Sequence, residues 1–457
     1  MTSKSDSTKI AVPERATRQN LATRQAVLMA VYFLMIISPL LVLLFTPHAP
    51  GRAFFRDFSV SLAYVGMAMM GFQLVPIARI PFMANSFPLD SLYTMHKRLS
   101  VISFLLVLSH PLILFAFNPK TLVLLNVFDT PLKTAAGVFG LLGLFLVVFS
   151  SVLRKEIRFN YDAWKVFHFI VSIGMIAFSF VHIYGINYYT SYPAMKILWA
   201  FLGVVWAFMV IYLHVLTPIR LAKTPFEVAE IRPECSQSYT LSLKPVGHPG
   251  MDFRAGQVAW ITIRRSPFAF RKHPFSITSS AERKDRLEFT IKELGDLTST
   301  IKDLKPGDRV YVDGPYGILD IDDPTIPGFV LVAGGIGSAP VMSILRTMAD
   351  RRDRRPVVFF YGSPKEDCII FGEELEELKK RLNLELVHVL EHPDMDCWNG
   401  ECGYVTMDVL KRHLPENYKD FTYFMCGPIP MLDSVERSLA KLGVSDKKIH
   451  SEHFDMV

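Results

Sequence analysis

Four histidines carry the first chemical signal in this chain. His96 and His110 lie in one apolar stretch and His168 and His182 in another, each pair fourteen residues apart. On an α-helix fourteen steps of ~100° fall ~40° short of four full turns, so each pair shares one face, ~21 Å apart along the axis. A hydrocarbon core is ~30 Å thick, so a spanning helix holds one histidine of its pair near each leaflet. Two such helices side by side oppose His96 to His168 and His110 to His182. Neutral imidazoles facing each other across a bundle are the axial ligands that two stacked six-coordinate haems need. A lone histidine in an apolar helix is ordinarily a hydrogen-bonded core residue. The same interval recurring at the same depth on two helices is not ordinary, and ionisable groups at membrane depth mark function.

Other stretches have nucleotide chemistry. Residues 331–340 (LVAGGIGSAP) leave a strand and open a helix, and Gly334, Gly335 and Gly337 let backbone N–H groups approach a pyrophosphate at the positive helix end. Cys426, Gly427 and Pro428 end a later strand and point at the same crevice. Residues 271–280 (RKHPFSITSS) combine an aromatic ring, cations, an imidazole and hydroxyls in one extended run, as a flavin and its phosphates require. Residues 292–299 (KELGDLTS), with Gly295 and Thr298, offer amides and hydroxyls to a pyrophosphate, and Phe454 lies fourth from the carboxyl end. A plain loop, or an ordinary terminal aromatic, would contain the same residues.

The elements that must position these groups divide the chain of 457 residues. Half of it is hydrophobic, with 35 phenylalanines, and the apolar excess lies before Thr217. Residues 1–24 read as a disordered polar tail. Six uncharged runs follow, at 26–46, 58–78, 99–117, 134–153, 166–195 and 197–219, each near the ~20 residues needed to cross a bilayer. The first is too long for a signal peptide and lacks a small-residue cleavage site, so it reads as a retained span. Arg79, Lys97 and Arg98 in the second loop, and Arg154, Lys155, Arg158 and Lys165 in the fourth, join the basic tail on one side. The positive-inside rule places both chain ends in the cytoplasm, the His96–His168 pair inward and the His110–His182 pair outward. Pro111 is expected to bend the third span beside the outer pair.

After Thr217 the texture changes. Short β-branched or aromatic runs at 227–231, 239–245, 258–264, 287–293 and 309–312 predict a small antiparallel barrel over 218–324. From 325 to the end, strands at 329–333, 356–361, 385–390 and 423–425 alternate with helices at 339–349, 373–382 and 431–442, which predicts a doubly wound α/β domain. The fold class is therefore a multi-domain membrane protein: a six-helix transmembrane bundle over 25–217, a β-barrel and an α/β nucleotide domain. The net charge of +6 owes much to the amino terminus and implies membrane orientation, with no sign of nucleic-acid binding. All five cysteines (Cys235, Cys368, Cys397, Cys402, Cys426) follow the apolar half, and their odd number implies reduced cytosolic thiols. Cys397 and Cys402 are too few for a zinc site.

The paired histidines, HPFSITSS, GGIGSAP, CGP and the near-terminal phenylalanine, in that order, resemble the NADPH oxidase and ferric reductase family from about residue 25 to the end. The resemblance implies two b-type haems on His96, His110, His168 and His182, and FAD against His273, Pro274, Phe275, Ser276 and Thr278 with its phosphates near Gly295 and Thr298. It implies NADPH or NADH along Gly334, Gly335, Gly337, Cys426, Gly427 and Pro428, and a hydride-transfer centre formed by Ser276, Cys426 and Phe454. The chain departs from many relatives by running three residues past that phenylalanine. The function so implied is outward electron transfer from cytosolic NAD(P)H to an acceptor beyond a cell membrane. Dioxygen giving superoxide is the acceptor preferred here, because the outer loops are short; a ferric chelate needs the same path. A non-enzymatic haem-bearing module is the contrasting possibility, against which the intact nucleotide motifs argue. At the end of the second parallel strand, Ser363 and Lys365 could hold the 2′-phosphate of NADPH, although Glu366 and Asp367 follow at once.

Overall fold

The computed structural model describes residues 18–319, 321–393, 398 and 400–453. Phe454, Cys397 and residues 1–17 of the expected tail lie outside these. Among the described residues, six helices are long and apolar enough to cross a membrane: Leu21–Phe45, Phe54–Ile77, Leu89–Phe117, Leu132–Val152, Tyr161–Ile186 and Pro193–Lys223. The first is already helical at Arg18, so the tail boundary at 24 moves inward. The fifth stops at Ile186, well short of 195, because Asn187 takes a left-handed conformation and caps it. Helix Leu89–Phe117 runs through Pro111 without a break.

The boundary expected at 217 falls inside a helix. The sixth span widens into a π-turn over Tyr212–Leu216 and continues as Thr217–Lys223. Pro218 sits in the first turn after that widening, where its missing N–H and its ring are tolerated. No flexible linker separates this span from the first strand.

The second and third spans pack tightly together, as do the fourth and fifth, whereas the third and fifth scarcely touch. Small residues allow the tight pairs. A β-carbon on Gly66 would come within 2.9 Å of Leu106 and Val107, and one on Gly143 within 3.1 Å of Met175. A slot remains between the third and fifth spans.

The next domain is a six-stranded antiparallel half-barrel of β1 (Phe226–Glu234), β2 (Ser238–Pro245), β3 (Val258–Ile263), β4 (His273–Ser276), β5 (Leu287–Lys292) and β6 (Arg309–Tyr316), in the order β4-β3-β6-β1-β2-β5. Its two edges approach at a bridge between Ile277 and Phe289. The last domain is a six-stranded parallel sheet of β7 (Phe329–Gly334), β8 (Val357–Ser363), β9 (Leu384–Leu390), β10 (Glu401–Cys402), β11 (Thr422–Gly427) and β12 (Ile449–His453), ordered β10-β9-β8-β7-β11-β12. The order reverses between β7 and β11, so the ligand crevice of such a sheet opens at their carboxyl ends. Sequence reading missed β4, β10 and β12.

Candidate functional site

The slot between the third and fifth spans carries all four histidines. The His96 and His168 rings lie 6.4 Å apart between centroids, and His110 and His182, fourteen residues further along the same two spans, stand at the other level. The second span braces one pair. His96 Nδ1 lies 3.1 Å from the Gln73 carbonyl, and His110 Nδ1 lies 3.1 Å from Ser59 Oγ. The fourth span braces the other, with His182 Nδ1 at 2.8 Å from the Lys133 carbonyl and His168 Nδ1 at 3.2 Å from Ser151 Oγ. A carbonyl only accepts, so His96 and His182 donate from Nδ1. Ser59 and Ser151 spend their hydroxyl hydrogens on the carbonyls of Arg56 and Val147, so they too accept from the imidazoles. All four rings therefore hold the same tautomer, with the Nε2 lone pair left free. Among the described residues, none of these four Nε2 atoms has a hydrogen-bond partner. A neutral imidazole held through Nδ1–H and open at Nε2 is how a protein presents a haem ligand.

One glycine is dictated by this arrangement. A β-carbon on Gly137 would lie 2.6 Å from His182 Nδ1. Gly137→Ala is expected to cost about 1–3 kcal/mol at that ring, so any haemin taken up at the His110–His182 level should bind roughly ten- to a hundredfold more weakly. The reduced-minus-oxidised spectrum of the variant, titrated with haemin, measures this; wild-type haem content and affinity would contradict it.

The HPFSITSS run forms β4 and its exit. Ser276 is buried, Phe275 packs against the barrel core, and Pro274 is half-buried. The Thr278 hydroxyl faces inward, accepting from the Thr290 amide at 3.0 Å. His273 Nε2 is buried with no hydrogen bond, 3.8 Å from Asp162 Oδ1 across a gap to the fifth span, and burial lowers the histidine's pKa. Thr298 Oγ1 accepts from the Leu294 and Gly295 amides at 2.8 and 2.9 Å, so these two residues shape one tight loop.

The glycine-rich turn and the Cys426–Pro428 turn meet at the crevice between β7 and β11. Gly337 presses against the Cys426 carbonyl so closely that a methyl group there would overlap it, and a β-carbon on Gly427 would lie 3.0 Å from the Gly334 amide. Gly335 adopts φ +53° with open space beside it, the cradle into which a phosphate fits. Tyr361 ties the turn down: its hydroxyl donates to the Gly335 carbonyl at 3.2 Å, accepts from the Ile370 amide and lies 3.3 Å from Ser338 Oγ. Ser363 is buried at the end of β8, and Lys365 is exposed beside Glu366 and Asp367. The Cys426 thiol is wholly buried, which pushes its pKa well up.

Several residues at the domain junctions escaped sequence reading. Arg79, from the loop before the third span, pairs with buried Asp313 of β6 at 3.0 Å and stacks on Trp260 of β3 at 4.7 Å. Arg220, at the end of the sixth span, reaches the same carboxylate at 3.6 Å. Asp162 pairs with Arg271, and Asn160 reaches Asp296 at 3.5 Å. Glu452, the β12 neighbour of Cys426, has its pKa pushed up to about 8 by burial and by Asp90 of the third span. Partners so distant in sequence leave no local pattern. Only the Asn160 cap, with its side chain accepting from the Asp162 and Ala163 amides, had a recognisable signal.

Three family models match the chain in succession. Residues 62–179 match a ferric reductase like transmembrane component, 234–319 an FAD-binding domain and 331–437 an oxidoreductase NAD-binding domain. The chain is 32% identical over 166 residues to NADH-cytochrome b5 reductase 1 of Candida glabrata, covering 36% of this chain and 58% of that one. It is 31% identical over 228 residues to the reductase component of propane 2-monooxygenase from Mycolicibacterium smegmatis, covering 48% and 63%. Thus the chain spans less than two-thirds of the length of these relatives. The FAD/NAD-binding domain of a nitric oxide dioxygenase from Vibrio cholerae O1 biovar El Tor overlays half of the chain and 98% of its own, at 21% identity and a TM-score of 0.45. A ferric reductase-like membrane component followed by FAD- and NAD-binding domains is the domain architecture of the NADPH oxidase and ferric reductase family.

Proposed function

We propose that this protein carries electrons from cytosolic NADPH outward across a cell membrane to dioxygen, releasing superoxide. The observation that carries the reading is the set of four imidazoles, opposed in pairs and each held through Nδ1 with Nε2 free. Bound FAD would turn a hydride into single electrons, and two b-type haems would carry these through the bilayer. The chain's own residues do the rest. His96 with His168, and His110 with His182, would hold the haems at two depths. The second and fourth spans fix their tautomer and tilt. Ser276 and Cys426 are the described residues assigned to the proposed hydride-transfer centre. The paired glycine turns orient the dinucleotide, while Arg79 and Arg220 hold the barrel against the bundle.

Dioxygen is favoured as acceptor because the connections at 46–53, 118–131 and 187–192 are short and build no folded domain to seat a chelate. The test is anaerobic reduction of the purified protein with NADPH, followed by mixing with oxygen or with ferric citrate. Rapid reoxidation by oxygen with superoxide release supports the proposal; reoxidation by ferric citrate alone makes the protein a ferric reductase. Haem and flavin that NADPH does not reduce would leave a non-enzymatic haem module.

Nucleotide choice rests on Lys365. A charge-assisted contact contributes ~1.5–3 kcal/mol, so Lys365→Ala should weaken NADPH by roughly ten- to a hundredfold and spare NADH. Equal loss with both nucleotides, or with neither, removes Lys365 as the selector.

A further inference from the structure

The first two turns of the fifth span do more than anchor it. His273 of the barrel faces Tyr161 at 6.5 Å between ring centroids, Tyr161 faces Trp164 at 5.8 Å, and Trp164 faces His168 at 5.2 Å. Trp164 precedes His168 by four residues and so stands one turn before it on the same helix face. Four rings in near contact thus join the residue assigned to the flavin with a residue assigned to the inner haem. We infer that Tyr161 and Trp164 are the bridge through which electrons tunnel from the flavin to the inner haem. The inference rests on the function proposed above.

Tunnelling weakens exponentially with separation, and π systems in near contact couple better than saturated side chains across the same gap. The surroundings suit an electron bridge. Arg154 lies over Tyr161 at 5.1 Å and over Trp164 at 5.6 Å, and Lys165 lies over Tyr161 at 5.0 Å. Cations on ring faces lower the empty π orbitals that an electron borrows in passing. They also disfavour loss of an electron from the rings, so the bridge is not itself oxidised. Each transfer removes one electron from reduced flavin and adds one to ferric haem; both side chains end as they began, and no bond forms or breaks.

The bridge is also clamped in place. Arg271 pairs with Asp162, one residue after Tyr161, and Asn160 on its other side reaches Asp296. A second aromatic contact between barrel and bundle, Phe270 with Phe169 at 5.4 Å, leads instead to His214, which is not one of the four paired histidines. Phe169 therefore serves as the control.

The test uses the full chain in detergent, loaded with FAD and haem, mixed anaerobically with NADPH while flavin and haem absorbance are followed separately. Trp164→Leu and Tyr161→Leu should leave flavin reduction unchanged and slow haem reduction. Trp164→Phe should restore most of the rate, and Phe169→Leu should behave as wild type. Haem content, absorption maxima and midpoint potentials should stay at wild-type values in Tyr161→Leu, which lies two turns from the ligand; this separates a lost bridge from a damaged haem site. If Trp164→Leu loses haem, Tyr161→Leu and Trp164→Phe decide. Haem-replete leucine variants that reduce at the wild-type rate, or a Phe169→Leu variant slowed as much as they are, overturn the bridge. A wild-type protein that binds no haem overturns the proposed function itself, a different result.

Discussion

If the four histidines hold two haems as proposed, alanine at His110 or at His182 should leave one haem per chain in place of two, by pyridine haemochrome assay. Each of these rings supplies one of two axial nitrogens to the same level of the slot, so either loss unmakes that level. The pair at His96 and His168 has its own braces, at Gln73 and Ser151, and is expected to keep its haem. Flavin reduction by NADPH should continue, because the nucleotide crevice belongs to the far domain. Delivery to an external acceptor should fall by more than about a hundredfold, since even changes around a ligand cost about 10–100-fold. Two haems in either variant, or one in the wild type, would sink the pairing of ligands.

The second large effect concerns Gly337. Its α-carbon abuts the Cys426 carbonyl, a backbone atom that cannot swing aside as a side chain could. Gly337→Ala therefore has to part the two turns that form the nucleotide crevice. Reduction of the flavin by NADPH is expected to fall by roughly a hundredfold, as about 1 Å of misplacement can cost. Dithionite, which bypasses the crevice, should still reduce flavin and haem at the wild-type rate. Unchanged kinetics with NADPH would show that the turns do not need to touch. A protein that dithionite also fails to reduce would point to general misfolding.

Much of this was legible in the residues because period and spacing are local. The interval between His96 and His110 repeats at His168 and His182, and glycines that need special backbone freedom stand out at 334, 335 and 337. Other features were hidden for physical reasons. Strand β4 is four residues long and contains Pro274, so it reads as a loop. Strand β12 is an edge strand, IHSEH, with little apolar alternation. Two of the four imidazole braces are backbone carbonyls, at Gln73 and Lys133, and a carbonyl has no letter in the sequence. The Arg79–Asp313 pair joins positions 234 apart, a closeness that only the assembled fold creates. Trp164, one turn before a ligand histidine, was visible, but its partner Tyr161 gains meaning only once His273 arrives from the barrel.

The unbroken passage of the sixth span through its π-turn into Thr217–Lys223 has a mechanical consequence. A hinge of loose residues would let the cytosolic half swing against the membrane half. A helix joined directly to β1, and reached at Arg220 by the carboxylate that also holds Arg79, acts as a stiff axle. A load on the barrel is thus passed straight into the bundle, and Arg346, reaching Glu288 and the Thr278 carbonyl, ties the barrel to the parallel sheet as well.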